Sequence, residues 1–317
     1  MNLNVLAISD GPNCSSTFNL LGIQKQSVNN IIVRQFNAPK KEYDWANLVY
    51  VHYGGIGEWK DLQKTLRERQ DKIWIIGVRG WGNFKKCFRG KGRGPDYEPS
   101  QFVRDYFKAY SVSSKEMQTQ VEKYGGKPVY LCQAGVDTKR FTLQRNVIPE
   151  QFCMGWVGNP WTGAKRFGRF PELPFPLRIC GATINFLKEK NFPLDQLLNN
   201  GGWIDHTKIH EFYPTISVYV SLSDNEGCPM PPLEAAASGR PVVATAVGAL
   251  KEWMPPEYLV PMDKYTDLIP LIARFRDDEE LWRKECVRFR RISLDWDFKV
   301  IAKQYDYMFR EVYETNI

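Results

Sequence analysis

The sequence predicts an α/β protein of two domains, each built on a mostly parallel sheet. The chain has 317 residues, which is more than one hydrophobic core usually supports. Short apolar runs alternate with amphipathic segments through most of its length, as in successive βαβ units. The alternation begins a second time after residues 142–151, a polar stretch with a proline that we predict to be a hinge. We therefore expect domains at residues 1–145 and 146–295, followed by a helix at 296–317.

The first domain is predicted from alternating strand and helix patterns. Strands are expected at residues 2–9, 31–36, 48–51, 72–78, 109–113 and 129–132, and helices at 60–69 and 115–124. Ligands of parallel sheets lie beyond the carboxyl ends of the strands. The loops that contain Gly11, His52 and Arg79 should therefore gather at one edge of this sheet.

The second domain repeats the pattern. Strands are expected at residues 152–157, 177–180, 203–204, 218–223, 241–244 and 258–260, and helices at 207–213, 233–238, 267–276, 278–291 and 296–313. The last helix has a continuous apolar face that includes Ile301, Tyr305 and Phe309. It is therefore expected to pack against a sheet.

Residues 217–248 form the most informative stretch, because two glutamates flank a strand-to-helix turn. Glu226 lies in a loop with Gly227 and Pro229, and Glu234 lies in the short helix that follows. The N–H groups of such a loop favour an anion. If a nucleotide binds here, Glu234 can accept hydrogen bonds from a ribose, Glu226 can hold a sugar hydroxyl, and Lys165 can neutralise a leaving phosphate. The alternative interpretation is that both glutamates are ordinary surface acids.

A basic and aromatic run follows the fourth predicted strand. It contains no acid, and it spaces aromatic rings between cations: Arg79, Trp81, Phe84, Lys85, Lys86, Phe88, Arg89, Lys91 and Arg93. One interpretation is a solvated loop. The other is a clamp for a phosphate-bearing partner, with the cations neutralising phosphates and the rings offering stacking faces.

Composition narrows the class of protein. No apolar run reaches the length of a membrane span, and the first residues lead directly into a strand, so we expect neither a transmembrane segment nor a signal peptide. Seven widely spaced cysteines without a C-x-x-C motif indicate reduced thiols in a cytoplasm, which includes the case of a viral protein in a host cytoplasm. His206 and His210 have a metal-binding spacing, but no third ligand accompanies them. A net charge of +7 favours an anionic partner.

The motif at 223–243 closely resembles the donor-site signature of family 4 glycosyltransferases. It reads Ser-x-x-Glu-Gly, then Pro-Leu-Glu-Ala-Ala-Ala-x-Gly-x-Pro-Val-Val. Segments at 109–141, 154–165 and 212–223 are similar to the family as well. The resemblance covers residues 109–252 well and the preceding residues weakly. It implies the GT-B fold, in which two Rossmann-like domains face a cleft and the last helix crosses back to the first domain.

The resemblance implies roles for individual residues. Glu226 and Lys165 would be catalytic, and the donor would contact a larger set: Gly158, Asn159, Arg166, Gly227, Cys228, Pro229, Met230 and Glu234. It also implies a nucleotide-sugar co-substrate, for which we expect UDP or GDP as the nucleotide, with no other cofactor and no divalent metal. The reaction would proceed with retention of anomeric configuration.

Three departures from the family pattern bear on these roles. Asn159 stands where the family usually has an arginine, so Arg166 is a candidate replacement. No histidine follows the fourth strand, and Arg79 is the candidate for that contact with the acceptor. Cys228 and Pro229 replace the usual Phe-Gly, which changes the walls of the sugar pocket.

The sequence leaves the acceptor open between three hypotheses. The first is a hydroxymethylated pyrimidine in double-stranded DNA, bound by Gly11, His52, Arg79, Trp81 and the cations of the basic run. A flipped base would then leave a gap that Trp81 can fill. The second is a glycan or lipid-linked acceptor, with the basic surface serving anionic lipid or polysaccharide. The third is a protein that binds nucleotide sugar or nucleic acid without turnover. The oligomeric state is not indicated.

Overall fold

The computed structural model describes residues 2–9, 11–12, 14–53, 59–80, 101–143, 149–199 and 201–317. They form two compact units, Met1–Gly135 with Phe298–Ile317, and Val136–Asp297. The chain thus changes unit after Gly135 and again at Phe298, whereas the sequence-based boundaries were drawn at 145/146 and 295/296. The expected hinge at 142–151 falls within the second unit, and its residues 144–148 lie outside the described part.

The first unit contains a six-stranded parallel sheet in the order β2-β1-β3-β4-β5-β6. Its strands are β1 Asn4–Ser9, β2 Asn30–Gln35, β3 Leu48–Tyr53, β4 Ile73–Val78, β5 Ala109–Val112 and β6 Val129–Leu131. Side chains of β1, β3 and β4 are buried on both faces, as is typical of a sheet covered by helices on each side. The strand order reverses between β1 and β3, where a crevice for ligands is expected in this topology.

Among the described residues that precede the second unit, five helices accompany this sheet: α1 Ser15–Gln26, α2 Lys40–Trp45, α3 Trp59–Glu68, α4 Gln101–Tyr106 and α5 Lys115–Gly125. The sequence did not predict α1, because its buried residues include the polar Thr17 and Asn19 beside Leu20 and Ile23. The helices α2 and α4 have six residues each, which is too short for a helical period to show.

The second unit has a five-stranded parallel sheet in the order β13-β12-β11-β7-β8 and a separate β9–β10 pair. Its strands are β7 Met154–Val157, β8 Leu177–Cys180, β9 Ala182–Thr183, β10 Gly201–Gly202, β11 Val218–Ser221, β12 Val242–Thr245 and β13 Leu259–Val260. The helices are α6 Ile184–Glu189, α7 Met230–Ala237, α8 Leu250–Trp253, α9 Leu268–Asp277 and α10 Glu279–Leu294. Here the order reverses between β7 and β11, so a ligand crevice is expected beyond Val157 and Ser221.

Two predicted elements of the second unit are wrong. Residues 203–204 are not a strand, since the short strand is Gly201–Gly202, and both glycines have positive φ angles. No α-helix forms at 207–213, where two 3₁₀ turns occupy Ile209–Glu211 and Tyr213–Thr215. Pro214 lies in the first turn of the second 3₁₀ segment, where its missing N–H is tolerated, but it cannot extend an α-helix that begins at residue 207.

The final helix, α11 Phe298–Asn316, belongs to the first unit. The Tyr305 hydroxyl accepts a hydrogen bond from Asn19 at 3.0 Å and another from Arg79 at 2.5 Å. The Asp306 carboxylate accepts from the amide of Asn29 at 2.8 Å. These buried polar contacts fix the register of α11 beside the apolar face that its sequence predicts. In the described part of the chain, no helix is long and apolar enough to cross a membrane.

Candidate active site

Lys165 and Glu226 meet at the reversal point of the second sheet. Lys165 ends a 3₁₀ turn after β7, and Glu226 lies in the loop after β11. The Lys165 Nζ atom is 2.5 Å from Glu226 Oε1, and the Ser223 hydroxyl donates to the same oxygen at 2.8 Å. Their side chains are 24% and 12% exposed, so solvent screens this pair only in part. Because an ammonium group carries three donors, Lys165 can contact an anion while it still holds Glu226.

The backbone of the loop at 223–229 is held from both sides. The Asp224 N–H donates to Ala164 O at 2.9 Å, and the Ala249 N–H donates to Gly227 O at 2.7 Å. Gly248 has a φ of +50°, and a Cβ added there would lie 2.4 Å from the carbonyl oxygens of Glu226 and Gly227. A side chain at 248 would therefore displace the loop. The neighbouring segments therefore hold this loop, and with it the Glu226 carboxylate, in position.

The helix α7 begins directly after this loop, so its N-terminus faces the same crevice. Pro229 occupies the N-cap position, and Pro231 and Pro232 follow in the first turn. These prolines have no N–H, so Cys228 and Met230 supply the amide donors between 228 and 232. The side chain of Cys228 is half-buried and that of Met230 is buried. The arrangement suits an anionic group near the helix axis.

Glu234 is buried inside α7 and is held by a tyrosine. Its side chain is 5% exposed, and the Tyr213 hydroxyl donates to Glu234 Oε2 at 2.5 Å. Burial raises the pKa of the Glu234 carboxyl to about 7, although the Tyr213 hydrogen bond and the Arg140 charge act in the opposite direction. A carboxylate so poorly solvated has a strong demand for hydrogen-bond donors.

His206 and Arg140 complete the surroundings of Glu234. His206 Nε2 lies 3.9 Å from Glu234 Oε1, and Arg140 Nη1 lies 3.4 Å from His206 Nδ1. Burial and the Arg140 charge lower the pKa of His206 to about 4, so this histidine is neutral near pH 7 and makes no ion pair. The sequence analysis did not predict that Arg140 and His206 lie beside Glu234, because 66 residues separate Arg140 from His206 and no spacing pattern links them.

Glu234 should make stability depend on pH. Its folded pKa of about 7 exceeds the ordinary value of 4.5, so its contribution to stability is complete below pH 4.5 and is lost as the pH rises to 7. We expect the free energy of unfolding of Glu234→Gln to rise relative to the wild type across this window, by roughly 3 kcal/mol. Urea unfolding at several pH values measures the difference.

The comparison must be between the variant and the wild type, because the lowered pKa of His206 has the opposite effect on the wild-type curve. Glu280→Gln, which removes an exposed glutamate from α10, is the matched control. A difference between Glu234→Gln and the wild type that stays constant with pH would contradict the prediction.

The other predicted donor residues have structural partners. The Gly158 N–H donates to Cys180 O at 3.0 Å, which joins the ends of β7 and β8. The Asn159 side chain accepts from the Trp161 N–H at 3.0 Å and so closes a turn. Arg166, with a φ of +48°, donates to Asp224, and Arg169 donates to the other Asp224 oxygen at 3.3 Å. Arg166 therefore reaches the crevice only if Asp224 releases it.

The predicted acceptor residues that the structure describes lie in the first unit. Arg79 donates to the hydroxyls of Tyr50 and Tyr305 and to the carbonyl of Cys132, so its guanidinium links β4 to α11. His52 is buried, and burial with the nearby Arg79 charge places the pKa of its imidazole well below the usual value. Gly11 accepts from Thr17 at the end of β1. Their role in acceptor binding stays a prediction.

The remaining acceptor candidates, Trp81, Lys85, Lys86, Arg89, Lys91 and Arg93, lie outside the described residues. Within the described ranges, no group of three or more His, Cys, Asp or Glu side chains is arranged to hold a metal. His206 instead contacts Arg140, and the Nδ1 atom of His210 is buried without a hydrogen-bond partner.

Comparison with known proteins gives a family match over part of the chain and a fold over nearly all of it. Residues 171–278, which include Glu226 and Glu234, match the family model described as glycosyl transferases group 1. Among curated protein sequences, none matches the chain. The sucrose-phosphate synthase of Thermosynechococcus elongatus superposes with a TM-score of 0.72 at 16% identity, over 98% of this chain and 99% of that chain.

Two further structures show the same architecture. Anabaena HepE in complex with UDP-glucose has a TM-score of 0.70 at 14% identity, and the match covers 98% of this chain and 100% of that chain. The pneumococcal O-GlcNAc transferase GtfA in complex with UDP and GlcNAc has a TM-score of 0.58 at 17% identity, over 84% of this chain and 56% of that chain. At these identities the likeness concerns the fold, and it confirms the fold class that the sequence predicts.

Proposed function

We propose that this chain, a group 1 glycosyltransferase of the GT-B fold that uses a nucleotide sugar, transfers the sugar to an acceptor hydroxyl with retention of anomeric configuration. The observation that carries the proposal is the contact of Lys165 with Glu226 in the loop before α7. Glu226 belongs to the segment 171–278 that matches the family, and Lys165 precedes that segment. The contact brings a cation and a carboxylate together next to a helix N-terminus. A diphosphate joined to a sugar requires these groups.

Each group has a distinct task in this mechanism. Lys165 and the N–H groups of Cys228 and Met230 bind the diphosphate, and Glu226 accepts a hydrogen bond from a hydroxyl of the sugar. Glu234 binds the ribose. The bond between the anomeric carbon and the phosphate oxygen breaks while the acceptor oxygen bonds to the same face, and the acceptor proton passes to that phosphate oxygen. The protein aligns the reactants and stabilises the charge that develops on the phosphate.

The donor is proposed to be a UDP- or GDP-sugar, used without a divalent metal. HepE has been solved with UDP-glucose, which makes UDP-glucose the first donor to test. Because Pro229, Pro231 and Pro232 lack N–H groups, fewer amides face the phosphate than in a proline-free turn. Lys165 should therefore carry much of the charge neutralisation.

The proposed acceptor is a hydroxymethylated pyrimidine in double-stranded DNA. Support comes from the net charge of +7 and from the run of cations and aromatic residues at 79–93. Arg79 has a separate task inside the first unit, since it holds α11. The contacts with DNA phosphates would therefore come from the cations at 85–93.

The function is tested by following sugar transfer from labelled UDP-sugars and GDP-sugars. The protein is offered duplex DNA with hydroxymethylcytosine, an oligosaccharide and a lipid-linked glycan. We expect transfer to DNA, and we expect slow donor hydrolysis when no acceptor is present. Nuclear magnetic resonance of the product then shows the anomeric configuration.

Each outcome distinguishes one hypothesis. Transfer to the oligosaccharide or the lipid alone would contradict the DNA acceptor, and binding without transfer or hydrolysis would indicate a protein that only binds its ligands. Neutralising Lys85, Lys86, Arg89, Lys91 and Arg93 together should weaken DNA binding and flatten its salt dependence. A control variant that removes the same number of charges neutralises five exposed lysines of the second unit: Lys188, Lys190, Lys251, Lys264 and Lys284.

A further inference from the structure

We propose that His206 is a second donor-binding residue, and that it and Glu234 together bind one hydroxyl of the donor's ribose. The inference rests on the proposed function and deepens it, because it adds a residue that recognises the nucleoside. Nothing in the sequence motif points to His206. The assignment comes from the positions of three side chains, Arg140, His206 and Glu234.

Arg140 determines which nitrogen of His206 carries the proton. Its Nη1 atom is 3.4 Å from His206 Nδ1, and its Nη2 atom donates to the backbone carbonyl of the same residue. A guanidinium has only donors, so Nδ1 must accept. A neutral imidazole that accepts at Nδ1 bears its proton at Nε2. The lowered pKa of His206 agrees with this neutral form.

The Nε2–H group of His206 therefore faces Glu234 Oε1, at a distance of 3.9 Å. This separation is too long for a direct hydrogen bond. An oxygen atom placed about 2.8 Å from both atoms would bridge them with normal geometry. Because a hydroxyl both donates and accepts, it can give its proton to Glu234 Oε1 and accept the one from His206 Nε2.

The pair discriminates between chemical groups. A phosphate or carbonyl oxygen has no proton for the carboxylate, and an ammonium group has no lone pair for Nε2–H. The other oxygen of Glu234 already accepts from Tyr213 at 2.5 Å. A hydroxyl thus satisfies both atoms of the pair, and a second hydroxyl beside it can also donate to the carboxylate.

The pair is reachable and well positioned. The His206 side chain is 27% exposed and that of Glu234 is 5% exposed, so the imidazole is the part of the pair that solvent and ligands meet first. Tyr213 is buried and packs edge-on against Phe141, with ring centroids 5.7 Å apart. Arg140 lies above the same Phe141 ring, 4.9 Å from its centroid. These contacts position Tyr213 and Arg140, which in turn hold Glu234 and His206 before a ligand binds. Such preorganisation lowers the entropic cost of binding.

The test compares the binding of nucleotides that have or lack one hydroxyl. UDP and GDP are titrated calorimetrically, followed by the 2′-deoxy and 3′-deoxy forms of whichever binds more tightly. In the wild type, one deoxy form should bind about 10- to 100-fold more weakly, because the lost hydroxyl donates to a buried carboxylate. In His206→Ala, this ratio should shrink about fivefold, since one of the two hydrogen bonds is already absent.

Two further variants show whether the effect belongs to the Nε2–H group. His206→Gln should restore most of the ratio, because its amide nitrogen can donate from a similar position. His210→Ala removes a nearby histidine that makes no contact with Glu234 among the described interactions, so it should leave the ratio unchanged. A merely structural role of His206 would weaken all nucleotides equally and leave the ratio as it is.

The inference is overturned if His206→Ala folds normally by circular dichroism and keeps the wild-type ratio, or if neither deoxy form binds more weakly to the wild type. Failure of the proposed function looks different. In that case UDP and GDP do not bind, or Glu234→Ala leaves their affinity unchanged, and the inference about His206 falls with it.

Discussion

Replacing Lys165 by alanine is expected to lower kcat by about 10²- to 10³-fold, as loss of one preorganised electrostatic contact does in other enzymes. The ammonium group lies 2.5 Å from Glu226 Oε1 in a crevice where only a quarter of its side chain is exposed. In the proposed mechanism, its removal takes away the cation that neutralises the departing diphosphate. It also leaves Glu226 with the hydrogen bond from Ser223 but without the nearby ammonium charge, which places an uncompensated negative charge beside an anionic ligand.

Steady-state kinetics with the donor and acceptor that the transfer assay selects measure this effect. Lys165→Arg keeps the charge but not the compact ammonium group, so it should retain part of the activity. Arg166→Ala is the matched control for loss of a neighbouring cation, and its effect should be smaller because Arg166 is bound by Asp224. Equal losses in Lys165→Ala and Arg166→Ala would contradict the special role of Lys165.

Replacing Gly181 by alanine is expected to destabilise the protein by about 3–5 kcal/mol, from backbone strain and overpacking together. Gly181 has a φ of +113°, a region that side chains rarely adopt, and a Cβ there would lie 1.8 Å from the carbonyl oxygen of Gly158. The clash pushes the end of β7 away from β8. Because Gly158 begins the loop that leads to Lys165, the same variant should also lose nucleotide affinity.

Gly163→Ala is the control, because a Cβ at Gly163 has no atom within 4 Å and its φ is ordinary. Gly163 lies between β7 and Lys165, whereas Gly181 follows β8. Gly163→Ala therefore shows the effect of replacing a glycine in this unit without a steric clash. Urea unfolding measures both variants. A Gly181→Ala protein as stable as Gly163→Ala would show that β7 and β8 can separate at no cost.

The fold was predictable because its signals are local. The apolar runs of β1, β3, β4 and β11 stand in consecutive residues, and their burial on both faces gives them the composition of parallel strands. Helix α1 was not predictable, since its inward face includes Thr17 and Asn19. Asn19 is suited to that face because its amide donates to Tyr305 and accepts from the Gly135 N–H, and both partners are distant in the sequence.

The donor motif could also be recognised from the sequence, because its residues are close together along the chain. Glu226 and Glu234 belong to one strand-loop-helix unit, so their placement beside a crevice follows from local structure and from the topology of parallel sheets. Lys165 was proposed from its compact charge and then from the family resemblance, and the structure brings its ammonium group to Glu226. Arg166 was proposed for the phosphate on sequence position alone, whereas the structure pairs it with Asp224.

The sequence by itself determined the α/β class, the positions of most strands along the chain and the placement of the two glutamates in a strand-loop-helix unit. Periodicity and short motifs are properties of neighbouring residues, so these features can be predicted without a structure. Only the tertiary structure decided the surroundings of Glu234. His206 and Tyr213 come from the connection between β10 and β11, and Arg140 comes from the segment before β7. The low solvation that raises the pKa of Glu234 to about 7 exists only when they pack together. The same holds for Arg79, whose charge is satisfied by Tyr50 and by Tyr305 from α11. Burial of a polar group and hydrogen bonds between distant residues do not recur at a fixed spacing along the chain, so no sequence pattern predicts them.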